Sequence, residues 1–507
     1  MSVGVSIQEL PRIQGAVGLD HGVRFICPAE TVIVMRRKAV GSGMRPLRWA
    51  ASGLALCAAF ILVCGSIVRT ATVAILDPVA EGTVAQSPAL RAALNAPAGK
   101  RSRLVRVNLA PLPTPGTQAR LFEDDLDLEL FPDLTVKAVF DRFETVNGSG
   151  TWSGHIDGIA MSSVSLAYRD GLLTASINTR DSIIAIRPAP GSETADDSRP
   201  LHIVSETDPA GLPEGPDALE PPPSGQSAVG VPESRQADSA DVIDLMVVYT
   251  PAATAYAGGT TGVANLIALG VNDTNTAYAN SGIAQRLRLV HAAAVPYVES
   301  GDSYRTLDDL TFGLGAFAGV AALRDTYRAD LVMVLVNQAR ADVCGIGWLS
   351  PLIQQSANYG FSLVFAPCVA SYTFAHELGH NMGARHDWYV DATVDAAPYA
   401  KGHIDAVGRW RTIMAYDDIC LRQGFSCGRL NYFSTPDVEF IPYCSGQTFN
   451  CSLLKYWFFP GQRVGVNSTS GPLDCRLGVI PSRPCAADNR RRLNETASLV
   501  ANYRQSR

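Results

Sequence analysis

Three histidines within eleven residues constrain this chain more than any other feature of its sequence. His376 and His380 are four residues apart, so on a helix both imidazoles project from one face at neighbouring heights. Gly383 can take a left-handed conformation that ends the helix, and His386 can then approach from another direction. Because imidazoles at this spacing can bind one zinc ion, the segment predicts a helix, a tight turn and a three-histidine metal site.

A carboxylate next to the first histidine gives the predicted site its chemistry. Three protein ligands leave the fourth tetrahedral position to water, an arrangement typical of catalytic rather than structural zinc. Glu377 can act as general base toward that water. Two histidines four residues apart with a glutamate after the first also occur by chance on amphipathic helices. Here the glycine and the third histidine follow at fixed positions, and the chain has only 8 histidines; both facts favour a metal site. Ser371 is the predicted N-cap of the helix.

The segment from His376 to Asp387 resembles HExxHxxGxxH, the zinc signature of the metzincin endopeptidases. Asp387 resembles the adamalysin, or reprolysin, branch, and similarity at 247–253 and 344–349 is to its bacterial secreted members. The resemblance implies an α/β (α+β) metzincin-like catalytic domain with a zinc-binding active-site helix. It also implies one catalytic Zn2+ per chain, Glu377 as general base, and protein or peptide substrates. Ca2+ is compatible with the family, although scattered carboxylates identify no ligands.

Metzincins carry a methionine-containing turn beneath the zinc, and Thr412–Tyr416 resembles it. In the family that methionine packs under the ligands without binding metal, which implies the same place for Met414. Tyr416 follows two residues later, where astacins and serralysins have a tyrosine that approaches zinc or steadies the oxyanion. Adamalysin-like members generally lack that role, so catalysis and simple packing both stay open for Tyr416.

The resemblance also implies where a substrate binds. An extended peptide would pair its main chain with an edge strand, which we expect within 345–365, just before the zinc helix. The Met-turn and residues 429–434 would form the wall of the S1′ pocket. Tyr432 and Phe433 then suggest apolar specificity, or they are only part of the core.

The N-terminal part of the chain predicts export. Residues 49–68 are 20 residues without a charge; basic residues ending at Arg48 precede them and small residues at 72–74 follow. This order predicts a signal peptide over 44–74, and the stretch is also long enough for an uncleaved signal anchor. Residues 1–43 are interpreted as an untranslated or non-native extension, with translation starting at Met35 or Met44. We therefore expect a secreted protein, or an exported one that contacts the membrane only through this leader.

Three further regions follow the leader. Alternating apolar and polar runs over 75–187 predict a small, mostly β propeptide domain. Residues 188–240 have the Pro-, Ser- and Asp-rich composition of a linker, where cleavage at Arg199 or Arg235 would remove the propeptide. Strands alternating with helices from residue 241 to 507 predict the α/β catalytic domain. Since 75–187 contains no cysteine, latency by the chain's own propeptide would need steric cover or another ligand such as a carboxylate.

Cysteine usage separates the two ends of the chain. Eight of the 11 cysteines lie after residue 343, which predicts up to four disulfides and an oxidising compartment. Zinc binding by these cysteines is the rival interpretation, and the absence of a CxxC pair is against it. The formal net charge of −6 and the lack of a long basic run indicate no nucleic-acid partner.

Two other functions were weighed against a secreted zinc endopeptidase. Zinc hydrolysis of a non-peptide amide is disfavoured by the similarity to secreted peptidases. The alternative from another class is a catalytically silent, zinc-stabilised protein-binding or adhesion module. Loss of the general base would have favoured that alternative, and Glu377 is present.

Overall fold

The computed structural model divides the chain into two compact units, Met1–Thr70 and Ala71–Arg507. The structure describes residues 24–26, 32–34, 73–79, 87–95, 99–116, 125–194, 199–213, 215, 219–221, 242–337, 343–350, 357–440, 462–467 and 485–504. In the first unit these residues form two antiparallel strands, β1 (Arg24–Ile26) and β2 (Val32–Val34). The predicted leader at 44–74 lies almost entirely outside the described residues.

Within the described part of the chain, no single helix is long and apolar enough to cross a membrane. One pair of helices bent by 102°, Ser303–Phe317 and Val320–Tyr327, meets the requirement by length and composition only.

A ten-stranded sheet forms the first half of the second unit. Its strands are β3 (Val73–Ala74), β4 (Leu76–Pro78), β5 (Gly99–Val107), β6 (Leu126–Phe131), β7 (Leu134–Val146), β8 (Ser149–Ile156), β9 (Ser163–Arg169), β10 (Leu172–Asn178), β11 (Ile183–Pro188) and β12 (Leu201–Thr207). A short helix, α1 (Pro88–Leu94), lies between β4 and β5. The order β3-β6-β7-β8-β9-β10-β11-β12-β5-β4 places two consecutive strands at opposite ends. Because only Ile75 separates β3 from β4, the sheet closes on itself as a barrel.

Alternation along the strands fills the barrel interior with apolar side chains. Ile75, Leu126, Leu128 and Trp152 are among the fully buried members of this core. The sheet extends past the β region predicted from sequence, since β12 lies inside the segment 188–240 for which a linker is predicted. The alternation within 201–207 is short and follows prolines and acidic residues. The composition of the segment therefore predicted a linker, whereas β12 pairs with β11 and β5.

The second half of the unit, residues 242–504, corresponds to the predicted catalytic domain and is called the catalytic half. It contains a five-stranded sheet with α-helices packed against it. Its strands are β13 (Val242–Tyr249), β14 (Arg286–Ala294), β15 (Leu331–Val336), β16 (Gly345–Gly347) and β17 (Phe361–Phe365), in the order β14-β13-β15-β17-β16. The first four in that order run parallel, and β16 pairs antiparallel with β17 to form the edge. Continuous apolar runs make β13 and β15 strands buried on both faces, as their sequence predicts. The mixed α/β content predicted for this region is confirmed.

Helices complete this half. They are α2 (Pro251–Tyr256), α3 (Thr260–Ser281), α4 (Ser303–Thr311), α5 (Val320–Tyr327), α6 (Thr373–Asn381), α7 (Asp418–Arg422) and α8 (Asn489–Val500). After α6 the chain forms loops and short strands: β18 (Ile404–Asp405), β19 (Trp410–Arg411), β20 (Gly428–Arg429), β21 (Glu439–Phe440) and β22 (Gln462–Arg463). Strands β18, β19 and β20 form one small sheet. These loops pack against the C-terminal end of α6.

Helix α3 lies between the barrel and the catalytic sheet. One side joins the catalytic core through residues such as Ile267 and Val271. The other side faces β8, β9 and β10, and several of its buried contacts there are polar. Ser149 Oγ donates to Asn265 Oδ1 at 2.8 Å, and Ser176 Oγ donates to Asp273 Oδ2 at 3.1 Å. Hydrogen bonds between small polar groups and a small apolar cluster of Ala167, Ala268 and Leu269 therefore hold the barrel against α3.

Disulfides are present in the second half of the chain, as the cysteine pattern predicts. Cys344 is bonded to Cys368, which ties the beginning of β16 to the turn before α6. Cys420 is bonded to Cys427 and holds the end of α7 next to β20. The cysteines at 444, 451 and 475 lie outside the described residues.

Candidate active site

Helix α6 begins differently from the prediction. The prediction that Ser371 is its N-cap is wrong: the cap position is Tyr372, which has a φ of 64° and gives no side-chain cap. Residues 366–371 already form a 3-10 turn, and Ser371 Oγ donates within that turn to Cys368 O at 2.8 Å. The left-handed residue redirects the chain so that α6 starts beneath the sheet edge. A helix N-cap rule cannot anticipate a turn that is set by the preceding 3-10 segment.

The three histidines converge on one point. Their Nε2 atoms are 3.1 Å apart between His376 and His380, 3.0 Å between His380 and His386, and 3.2 Å between His376 and His386. Gly383 makes this convergence possible, since it takes a φ of 87° after α6 ends. His376 Nδ1 donates to Ile413 O at 2.8 Å and His380 Nδ1 donates to Ala384 O at 2.9 Å. With the protons on Nδ1, the Nε2 lone pairs of both rings face inward.

This donor set fits a zinc ion. Three nitrogens at Zn–N distances of about 2.0–2.1 Å in a tetrahedron are separated by roughly 3.3–3.4 Å, close to the separations found. The rings are also held neutral, as ligands must be. Burial, helped by the neighbouring histidine His380, lowers the pKa of His376 and of His386 well below the ordinary range, and burial lowers that of His380 to about 4. Zinc would therefore meet lone pairs without displacing protons at neutral pH.

Glu377 lies beside the histidines against the sheet edge. A Cβ placed on Gly345 would overlap Glu377 Oε1, and one on Gly347 would come within 3.2 Å of Glu377 Oε2. The two glycines of β16 thus let the carboxylate approach the strand closely. Burial raises the pKa of Glu377 well above its ordinary value, and the charge of Arg429 partly opposes that rise. A carboxylate with a raised pKa is a stronger base, and it lies in the cleft that also contains the three histidines.

The turn containing Met414 lies directly under α6. A Cβ on Gly379 would be 2.6 Å from Met414 Sδ, so the helix residue between the first two histidines rests on this sulfur. The preceding residue, Ile413, supplies the carbonyl that orients His376. Asp387 connects the turn to the histidine segment, because its Oδ2 accepts from Tyr416 N at 2.9 Å while its Oδ1 accepts from Tyr389 N at 2.9 Å.

Tyr416 is packed on two of the three histidines. Its ring centroid is 4.0 Å from that of His386 and 5.8 Å from that of His376. It also lines the cleft on the side of Gly215, where a Cβ would lie 3.6 Å from the tyrosine hydroxyl oxygen. The packing role and a role for the hydroxyl at the reacting groups are both compatible with this position.

The cleft next to Glu377 has a polar lining that the sequence interpretation missed. Its catalytic-half residues are Cys344, Gly345, Ser371, Thr373, His376, Glu377, Arg411, Tyr416 and Arg429. Tyr432 and Phe433 are not among them. Phe433 is fully buried in the catalytic core, with its ring centroid 5.6 Å from that of Tyr278. The sequence signal for the arginines is weak: Arg429 begins the 429–434 segment, but the aromatic residues of that segment predict an apolar pocket instead.

A segment between the barrel and the catalytic half runs across this cleft. We call its described residues, Leu212, Pro213, Gly215, Leu219 and Glu220, the covering segment. Cys344 N donates to Pro213 O at 2.9 Å and Leu349 N donates to Leu219 O at 2.8 Å, so the segment lies along the edge formed by β16. Leu219 pairs with Trp348 as a parallel bridge. The edge strand predicted within 345–365 is therefore β16, and in this chain it already has a neighbour.

An ion-pair cluster fixes the far end of the covering segment. Glu220 Oε1 accepts from Arg385 Nη2 at 2.5 Å. Arg385, just before the third histidine, also pairs with Asp395 at 2.7 Å and with Asp391 at 3.2 Å. The buried Lys401 pairs with Asp391 at 3.0 Å, and burial lowers its pKa to about 8. This cluster holds both the loop of the third histidine and the covering segment.

One other group among the described residues has metal-ligand spacing, namely Asp417, Cys420 and Cys427. Its two cysteines form a disulfide, so their sulfurs are not available as thiolates. Asp417 instead accepts from Cys427 N at 2.6 Å. The three-histidine group is thus the described cluster that fits a transition metal, and calcium binding stays a prediction.

Comparisons with known proteins point in one direction. The family described as "Metallo-peptidase family M12B Reprolysin-like" matches residues 239–441. A peptidyl-Asp metalloendopeptidase of Stenotrophomonas maltophilia strain R551-3 is 30% identical over 400 residues, covering 73% of this chain and 86% of that protein. Its counterpart in strain K279a is 32% identical over 264 residues, covering 48% and 58%. A protein of the same name from Xanthomonas campestris pv. campestris is 26% identical over 388 residues, covering 71% and 84%.

Proposed function

Because the chain belongs to the reprolysin-like M12B metallopeptidase family and is a zinc metalloendopeptidase, we propose that it is exported as a latent precursor and cleaves proteins next to aspartate with Glu377 as general base. The observation that carries the catalytic part is the convergence of three Nε2 atoms within 3.2 Å beside a buried carboxylate. Aspartate as the substrate residue rests on the relatives, three of which are named peptidyl-Asp metalloendopeptidases.

In the proposed reaction His376, His380 and His386 hold zinc, which when bound polarises the scissile carbonyl and lowers the pKa of water. Glu377 accepts the proton of the attacking water and returns it to the leaving amine. The main chain of the substrate pairs with the edge formed by β16, which places the scissile bond over Glu377. Met414 and Asp387 support the site from below, since they keep α6 and the Met-turn in contact.

The barrel and the covering segment support latency by steric cover. The covering segment hydrogen-bonds to the main chain on both sides of β16, where a substrate strand would pair. Pro209 and Ile183 close the same cleft from the barrel side. This position agrees with a propeptide that inhibits its own enzyme without a cysteine, the route left open by the sequence.

Processing would occur beyond Glu220. Arg199 forms an ion pair with Asp77 at 2.7 Å and precedes β12, which pairs on both sides within the barrel. Cleavage there would leave β12 and the covering segment attached to the catalytic half. The segment 222–241, which contains Arg235, lies outside the described residues and is the part of the predicted linker that we propose as the cleavage region. The disulfides favour an extracellular location after export.

The test is a Glu377→Ala variant of the full chain, compared with wild type and with Glu439→Ala, which removes an exposed carboxylate of β21 that does not line the cleft. After processing, wild type and Glu439→Ala should cleave an aspartate-containing peptide and lose activity with 1,10-phenanthroline. Glu377→Ala should keep one zinc per chain and lose about 100- to 10,000-fold in kcat. Retention of activity by Glu377→Ala would remove the general-base assignment, and cleavage unaffected by the chelator would remove the metal.

A further inference from the structure

We propose that Arg429 is the residue that recognises the substrate aspartate, with its guanidinium binding the aspartate carboxylate in the cleft beside Glu377. The inference rests on the proposed function, since it assigns a residue to the specificity that the relatives suggest. It concerns a side chain for which the sequence predicted no role.

The first observation is where the side chain lies. Arg429 lines the cleft together with His376, Glu377 and Thr373. Glu377 lines the same cleft. A ligand group held by this guanidinium would therefore lie in the cleft that contains the proposed general base.

The second observation is that a second arginine stands next to it. Strands β19 and β20 pair in parallel with Arg411 opposite Arg429. Paired residues of neighbouring strands have side chains on the same face of a sheet, and both arginines line the cleft. Two like charges side by side disfavour each other, and an anionic ligand relieves that repulsion. The pair concentrates positive charge at the place where a substrate side chain would enter.

The two arginines differ in how they are held. Arg411 is buried and donates to two backbone carbonyls, Nε to Cys427 O at 2.9 Å and Nη1 to Ala415 O at 2.7 Å. Arg411 thus stabilises the small sheet formed by β18, β19 and β20, and its positive charge adds to that of Arg429. Arg429 is half-buried and donates from Nη1 to Ser371 O at 3.2 Å. A planar guanidinium anchored in this way can present further N–H groups to a carboxylate.

The rest of the lining agrees with a small acidic side chain. Gly345, Ser371 and Thr373 offer little apolar surface. Neither of the aromatics that predicted apolar specificity lines the cleft, and Phe433 is fully buried in the core. A cleft with small residues and two arginines at one side would bind an aspartate side chain.

The barrel covers this part of the cleft in the precursor. A Cβ on Gly428, next to Arg429, would overlap the carbonyl oxygen of Arg180, which lies in the turn between β10 and β11. Ile183 at the start of β11 lines the cleft with Arg429. The proposed specificity residue is therefore reached by substrate only after the barrel has gone, which agrees with a role in the mature enzyme.

The experiment uses the full chain, allowed to process, and two peptides that differ only by aspartate or asparagine at one position. Wild type should prefer the aspartate peptide. In Arg429→Gln the kcat/KM for the aspartate peptide should fall by roughly 30- to 3,000-fold, while that for the asparagine peptide should change little. Arg429→Lys should give an intermediate ratio, because it keeps the charge and loses the planar fork. Arg422→Gln, which removes an exposed arginine of α7, should match wild type.

A binding measurement separates recognition from chemistry. In a Glu377→Ala background, calorimetry should show tighter binding of the aspartate peptide, and Arg429→Gln should abolish the difference. Zinc content and cleavage of the asparagine peptide report whether the variant is folded; if Arg429→Gln loses both, Arg429→Lys decides. An unchanged aspartate-to-asparagine ratio in a folded Arg429 variant overturns the assignment while the proposed function stands. No aspartate preference in wild type overturns the proposed specificity itself, and the assignment with it.

Discussion

Gly383 lies between helix α6 and His386, the proposed third zinc ligand, and its backbone has a φ of 87°. Any other L-residue at such a φ is strained by about 1–2 kcal/mol. A Cβ at this position would also lie 3.0 Å from Ser350 O and 2.7 Å from Arg492 Nε. The position therefore combines backbone strain with crowding, directly between His380 and His386.

We expect Gly383→Ala to lower both the unfolding temperature and the zinc content of the protein. The matched control is Gly424→Ala, because Gly424 has a φ of 84° with open space around its Cβ position. Both variants carry the backbone strain, and only Gly383→Ala displaces a ligand loop. Thermal unfolding and zinc analysis of the two proteins make the comparison. Equal zinc content in both variants would show that the loop of His386 tolerates a Cβ at 383.

Site residues differed in how far the sequence could predict them. The histidines, Glu377 and Gly383 follow one another within a helix and a turn, so their spacing alone determines how they come together. Arg411 and Arg429 meet the site only because β19 and β20 pair in register. That pairing joins loops fixed by a disulfide, which no local periodicity records. Phe433 was predicted to line the pocket because of its place in the sequence, and it belongs instead to the core.

Helix α3 carries a buried carboxylate where it meets the barrel. Burial raises the pKa of Asp273 to about 7, and hydrogen bonds from Ser165 and Ser176 of the barrel oppose the rise. The other titratable groups that face it are Arg142 of β7 and Tyr372 at the start of α6. Once the barrel leaves, Asp273 lies in water and regains an ordinary pKa near 3.9.

The sign of the resulting pH dependence follows from proton binding. The associated state binds the proton of Asp273 more tightly, so the association of the barrel is strongest below about pH 4. It weakens as the pH rises through about 7, the pKa of Asp273 in the associated state. Above that pH the Asp273 carboxylate is charged, and the free-energy cost of burying this charge opposes the hydrogen bonds that hold the barrel.

We expect Asp273→Asn to remove this dependence. After a cut within 222–241, the wild-type barrel should stay bound at pH 5 and dissociate at pH 8, with an affinity change of about 100-fold. The asparagine variant should bind equally at both values, and Asp308→Asn, which alters an exposed carboxylate of α4, should behave like wild type. Size-exclusion chromatography of the cut protein at the two pH values is the measurement. Dissociation of the wild type that does not change with pH would contradict the role of Asp273.

Elements fell into two groups by how well the sequence predicted them. The strands and helices predicted to alternate from residue 241 are found in β13, α3 and β15, because β13 and β15 are continuous apolar runs and α3 is long. The barrel was predicted only as β structure. Its closure depends on β3 pairing with β6 while β4 pairs with β5, contacts between residues far apart in the sequence. Such pairings are determined by tertiary packing, which alternation does not encode.

At the scale of the whole molecule, the barrel and the catalytic half lie in one compact unit, Ala71–Arg507. The chain passes from β12 through the covering segment and then into β13. Strand β12 is enclosed between β11 and β5, so any piece that contains β12 stays with the barrel. The covering segment follows β12 in the chain. Its far end is held by the ion pair between Glu220 and Arg385. Release of the active site therefore depends on where the connection is cut.

Two precursors with an engineered protease site test this dependence, one with the site within 195–198 and one within 222–241. The first cut leaves β12 and the covering segment covalently joined to the catalytic half, with β12 paired on both sides. We expect no gain in peptidase activity from it. The second cut makes the barrel and the covering segment one separate piece, which should leave at pH 8 and expose the cleft. Activity on an aspartate-containing peptide, measured before and after each cut, should appear with the second alone. Activation by the first cut, or latency that persists after the second piece has dissociated, would show that the covering segment is not what closes the site.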